Sequence, residues 1–89
     1  MRIVDAATLT LRLQACERAA IRAHLLSLDG DDRRLRFGHA ARDAAIERYV
    51  NNIDFQRDAV FGVRVDGRNL DGIVHLALQS SHAEMGVSV

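Results

Sequence analysis

Three alternating segments, Asp58–Asp66, Leu70–Leu78 and Ala83–Val89, close this sequence and constrain its fold more than anything before them. Alternation with a period of two belongs to a β-strand whose two faces meet different surroundings. In the first segment Ala59, Phe61, Val63 and Val65 share one face, and Val60, Gly62, Arg64 and Asp66 the other. The second is apolar on both faces, with Ile73, His75 and Ala77 backed by Val74, Leu76 and Leu78. That pattern predicts a central strand covered on both sides. The third divides cleanly. Ala83, Met85, Val87 and Val89 form an apolar set, expected to face the core, and Glu84, Gly86 and Ser88 form a small polar set on the reverse. Asp66-Gly67 predicts a short hairpin turn, because both positions tolerate positive φ. Gln79-Ser80-Ser81-His82 reads as a polar connection. A glycine inside a strand costs stability and marks a bulge or the close approach of another backbone or a ligand. Gly72 suggests the bulge and Gly86 the close approach.

The residues before Asp58 read as a cover for this sheet. Ala7 to Leu13 alternates, with Leu9, Leu11 and Leu13 on one side, which predicts an opening strand. A helix is expected from about Gln14 to Leu28, where Ile21, Leu25 and Leu28 make one stripe, although no Ser, Thr, Asp or Asn caps its start. Cys16 and His24 lie in that stretch and read as a buried thiol and a surface imidazole. The acids that follow are not a calcium loop, since Arg33 stands where an alternate oxygen ligand is needed. Asp31 and Asp32 instead open a short helical turn, Asp32–Phe37, where their charge favours the positive end of the helix dipole. Arg33, Arg34 and Arg36 beside three aspartates predict a local salt-bridge patch. A second helix begins around Asp43, with Ile46, Tyr49, Val50 and Ile53 as its apolar stripe. Tyr49 reads as a buried anchor and His75 as a satisfied core or rim histidine. With no His-x-x-x-His and no cysteine pair, no metal site is expected.

Composition narrows the function classes. Twelve arginines and no lysine balance twelve acids, so the net charge is zero and the basic excess of a nucleic-acid binder is lacking. The 89 residues suit one domain, 1–89. A single cysteine makes no internal disulfide and fits a reducing compartment. No apolar run approaches the roughly 20 residues of a membrane-spanning helix, and the first residues are not of signal-peptide type. A soluble, cytoplasmic protein is expected.

The order strand, helix, short turn, helix, hairpin, strand resembles the N-terminal half of the GNAT superfamily of N-acetyltransferases. Leu9-Thr10-Leu11-Arg12 looks like that family's opening strand. Leu26-Ser27-Leu28 through Arg33-Arg34-Leu35-Arg36-Phe37 looks like a segment of one bacterial branch. Ile53-Asp54-Phe55 with Ala59-Val60-Phe61-Gly62-Val63, Gly72-Ile73-Val74-His75-Leu76-Ala77 and Ala83-Glu84-Met85-Gly86-Val87-Ser88-Val89 resemble its second to fourth strands. The likeness runs through nearly the whole chain and rests on the order of these patches.

The resemblance implies an α+β fold: a mainly antiparallel sheet in the order β-α-α-β-β-β, two helices packed on it, and a C-terminal half that these residues do not include. It implies direct attack of a substrate amine, on a small molecule or a protein, on the thioester of acetyl-CoA. Such a reaction needs a base and oxyanion stabilisation. Glu84 would then be the catalytic carboxylate. The backbone of Val87, Ser88 and Val89 would hold the pantetheine arm of the cofactor, with Gly86 letting it approach. The family's Arg/Gln-x-x-Gly-x-Gly/Ala loop, whose amides cradle the pyrophosphate, is expected beyond Val89, so the 89 residues alone are expected to be inactive. The alternative is a non-catalytic module whose exposed last strand recruits a partner strand or a second copy of itself.

Overall fold

The computed structural model describes residues 9–64, 69–78 and 83–89. Strand β1 (Leu9–Arg12) leads through a 3-10 turn (Ala15–Glu17) into helix α1 (Arg18–Leu26). Helices α2 (Gly30–Phe37) and α3 (Asp43–Asn51) follow, then strands β2 (Ala59–Arg64), β3 (Gly72–Leu78) and β4 (Ala83–Ser88). The strands form one antiparallel sheet in the order β1-β2-β3-β4. The expected α+β architecture is present, with one more helix than expected: the short turn after Asp32 is a complete helix. Its N-cap is Asp29, which accepts from the Asp32 amide, and Gly38 ends it at φ 80. The first helix starts later than its apolar pattern, at Arg18, and has no side-chain cap. Asp43 lies in the first turn of α3, as its charge favours.

Two arginines fasten the helices by donating to carbonyls at or near the helix ends. Arg18 donates to the carbonyls of Val50 and Ile53, at 2.5 and 3.3 Å, and joins the start of α1 to the end of α3. Arg33 donates to the carbonyls of Leu26, Leu28 and Ala41 and pairs with Asp43 at 2.9 Å. The arginine patch is therefore not a local exchange with Asp29, Asp31 and Asp32. Arg33 staples α1 to α3, and Arg36 reaches past Tyr49 of α3 to the sheet at Gly86.

The core lies between the helices and one face of the sheet. Ile21 and Leu25 of α1 and Ile46 and Val50 of α3 meet Val60 of β2 and Ile73 of β3, with Leu13, Leu28, Ile53 and Leu70 closing the ends. At Gly62 an added Cβ would press on the side chains of Leu13 and Leu70, so the absence of one there lets the core close. Gly72 pairs with Val63 in regular register, so the expected bulge is not formed. A two-residue turn at Asp66-Gly67 would set Val60 opposite Ile73. It stands opposite His75, two positions further along, and the connection itself lies outside the described residues. A shift of two preserves which face each side chain occupies.

The largest departure from expectation is the facing of β4. Register places Ser88 beside Ile73, Gly86 beside His75 and Glu84 beside Ala77, so the small polar set shares the helix-covered face. Ser88 is 6% exposed, whereas Met85 and Val87 are 68% and 50% exposed. The apolar set faces away, together with half-buried Phe61, Val63, Val74 and Leu76, and no helix among the described residues covers that side. The expectation that β3 is covered on both sides fails for the same reason. Two further expectations are reversed: Cys16 is exposed and His24 is buried.

Candidate functional site

The inward facing of β4 has a specific cause. Buried polar groups are stable only when hydrogen-bonded, and at Ser88 and Gly86 the strand meets a polar side chain from the helices. Ser88 donates to His24 Nε2 at 2.9 Å, and His24 Nδ1–H donates to the Leu70 carbonyl at 3.0 Å. Since a carbonyl can only accept, the imidazole is the Nδ1–H tautomer. Burial lowers the His24 pKa below 6.5, against the opposing influence of the Leu70 carbonyl and the Asp71 charge, so the ring is neutral. Gly86 faces the Arg36 guanidinium, and an added Cβ would stand 2.5 and 2.6 Å from its two terminal nitrogens. The close approach expected at this glycine is therefore made by an arginine side chain from α2.

From that arginine a chain of hydrogen bonds runs into the sheet. Arg36 Nη2 donates to the Tyr49 oxygen at 2.6 Å, and the Tyr49 hydroxyl donates to His75 Nδ1. His75 Nε2–H donates to Asp58 Oδ2 at 2.9 Å. Asp58 also accepts from Arg57 at 2.9 Å and from the Leu78 amide at 3.2 Å. Burial alone would push the Asp58 carboxyl up. The hydrogen bonds from Arg57, His75 and Leu78, with the Arg57 charge, outweigh it and bring the pKa down to about 2. Asp58 is thus an anion at neutral pH and fixes the His75 tautomer, leaving Nδ1 to accept from tyrosine. Burial raises the Tyr49 pKa, with the Arg36 charge pulling the other way, so the phenol keeps its proton. The rings pack edge to face, Phe37 against Tyr49 and Tyr49 against His75, both with centroids 5.5 Å apart. The guanidinium lies over Phe37 and Tyr49 at 4.7 and 5.0 Å.

This chain forms one wall of an open recess of about 250 Å³. Arg36, Tyr49 and His75 line it together with Gly86 and Glu84. The carboxylate singled out from sequence thus stands at the rim of a recess with a guanidinium, a phenol and an imidazole in it. The backbone of Val87, Ser88 and Val89 follows Gly86 along the chain, and among the described residues β3 is the one strand beside β4 in the sheet. Their side chains diverge: Ser88 turns into the core with His24, and Val87 and Val89 point to the open face.

Sequence reasoning missed Asp58 and the function of Arg36. Asp58 was legible only as the first residue of a strand. The one signal for it was an acid directly preceding an apolar alternation, and its partner His75 lies on the next strand. Arg36 read as one of three clustered arginines, and only the tertiary fold separates it from Arg33. Tyr49 is anchored as expected, and it is also a link in the hydrogen-bond chain.

Among the described residues, no group of three or more His, Cys, Asp or Glu gathers as a metal site, and no helix is long and apolar enough to cross a membrane. No protein-family model, no curated protein and no solved structure matches this chain.

Proposed function

We propose that these residues are the N-terminal portion of an acyl-CoA-dependent N-acyltransferase of the GNAT kind, with acetyl-CoA as donor and an amine as acceptor. The observation that carries this reading is Glu84 at the rim of a polar recess, on a strand that has β3 alone beside it in the sheet among the described residues. Glu84 accepts the proton of the attacking amine. The outer edge of β4 at Val87, Ser88 and Val89, beside which no strand lies among the described residues, supplies amides and carbonyls for the pantetheine arm, in the manner of an added strand. The element order and the antiparallel sheet agree with the resemblance described above. The uncovered apolar face supports a further part of the domain packing there, since contiguous exposed apolar surface of this kind marks an interface.

The test is to purify the product of the full reading frame that carries these residues. Thiol release from acetyl-CoA is then followed against a panel of primary amines. Acetyl-CoA-dependent release that falls about 100-fold in Glu84→Gln is expected, the range for loss of a general base. Absence of both release and acetyl-CoA binding by calorimetry contradicts the reading. The 89 residues alone are expected to bind acetyl-CoA more weakly than micromolar, because they lack a pyrophosphate-binding loop.

A second reading is favoured by Met85 and Val87, both apolar and half or more exposed. On it the chain is a non-catalytic module that pairs through its last strand with a second copy. Sedimentation at increasing protein concentration separates the two. A dimer that Val87→Asp disrupts, with no acetyl-CoA chemistry in the full reading frame, favours the module.

A further inference from the structure

The recess is lined by opposite charges, Arg36 and Glu84, and this bears on what it can bind. Arg36 approaches from α2 and rests its guanidinium on the backbone at Gly86. Glu84 precedes Gly86 by two residues on the same strand and face, which is about 6.5–7 Å along a strand. The guanidinium is held by stacking on Phe37 and Tyr49 and by one hydrogen bond to the Tyr49 oxygen. Arginine has five N–H donors in a rigid fork, and the bond to Tyr49 uses one nitrogen of Arg36. Donors therefore remain for an acceptor entering the recess, and the fork matches a carboxylate bidentately. The recess, at about 250 Å³, is below the roughly 300–1,000 Å³ that drug-sized ligands fill.

We propose that the acceptor taken by this recess is a small α-amino carboxylate, with its carboxylate on Arg36 and its amino group on Glu84. This rests on the transferase reading for the fate of the amine, and the binding itself does not depend on acetyl-CoA. A ligand whose carboxylate and ammonium are separated by a single carbon bridges the two charges along the strand. Glu84 retains capacity for it, because a carboxylate offers about four acceptor positions. Tyr49, fixed by His75 and Asp58, holds the guanidinium by a hydrogen bond and by its ring face. Transfer then requires the bound ammonium to lose a proton to Glu84. Its nitrogen attacks the thioester carbonyl, the C–S bond breaks, and the departing sulfur takes the second proton from that nitrogen, so that an amide forms and CoA leaves as the thiol.

The experiment is ligand titration of the 89-residue chain followed by amide chemical shifts, without acetyl-CoA. The probes are the free proteinogenic amino acids. For each one that binds, the corresponding amino-acid amide and the carboxylic acid lacking the amine are titrated as well. Millimolar or tighter binding that shifts the Gly86 amide, weakens at least about 10-fold on loss of either ligand charge and is abolished in Arg36→Gln supports the proposal. Arg36→Lys keeps the charge without the fork and is expected to bind at intermediate strength. Amides that bind as well as acids, or no amino-acid binding at all, overturn it, and both outcomes are read on the unaltered protein. Failure of the transferase reading looks different: amino acids bind as described but the full reading frame never acetylates them. If the full reading frame acetylates amines lacking a carboxylate equally well, and Arg36→Gln does not change kcat/KM, the transferase stands and this proposal falls.

Discussion

The two faces of the sheet invert the usual division of a half-buried strand. The helix-covered face carries Val60 and Ile73 and also His75, Gly86, Ser88 and Glu84. The reverse face carries Phe61, Val63, Val74, Leu76, Met85 and Val87 and has no cover among the described residues. Polar residues turn inward here because the helices and the segment before β2 supply what they need: His24 for Ser88, Arg36 over Gly86, and Tyr49 with Asp58 around His75. A paired polar group costs little to bury, whereas the same group unpaired costs about 1–3 kcal/mol. Apolar residues on the reverse face gain their burial only when something else packs against them. One face is therefore complete in this structure, and the other has the chemistry of an interface.

Four substitutions or conditions test this contrast, beginning with the largest expected effect. Ile46→Ala opens a cavity on the complete face and should cost about 3 kcal/mol in urea unfolding. Asp58→Ala strips the acceptor from His75 and from the Leu78 amide. It should cost about 2 kcal/mol, while Asp58→Asn, which keeps the shape, should cost less. A third test is pH. The folded pKa of His24 lies below its usual 6.5, so the unfolded chain takes up that proton first. The stability His24 contributes is complete above about 6.5 and declines as pH falls below it. The folded pKa of Asp58 is depressed from 3.8 to about 2, so its contribution is present above 3.8 and is lost between those values. Water screens the part due to exposed Arg57, which leaves about 1–2 kcal/mol for this step. Unfolding midpoints across pH should show both declines, and Asp58→Asn should remove only the lower one. The smallest effect belongs to the open face: Val87→Thr should change stability by less than about 0.5 kcal/mol. A cost near that of Ile46→Ala would show that the open face is packed and would break the contrast.

Much of the fold was legible in the chain. The alternations at Ala59–Arg64 and Gly72–Leu78 and the stripe of Ile46 and Val50 give elements within a few residues of those observed. Local pattern carries such information because each element's period follows from its own geometry. The facing of β4 was not legible, because Met85 and Val87 look like core on a binary reading. Only the partners of Ser88 and Gly86, which come from residues 64 and 50 positions earlier in the chain, decide the direction. Within the site, Glu84 could be chosen from its place on a small polar strand face. Asp58 and Arg36 could not, since their importance arises from contacts with His75 and Tyr49 across long sequence separations.

The most direct test of the facing of β4, on which the site depends, is a set of nuclear Overhauser contacts in the folded 89-residue chain. The account predicts contacts from Ser88 Hβ to the His24 ring and from Gly86 Hα to the Arg36 side chain, with none from the Val87 methyls to Ile46 or Leu25. Contacts from the Val87 methyls to those core residues, with Ser88 and Gly86 showing none to α1 and α2, would contradict it.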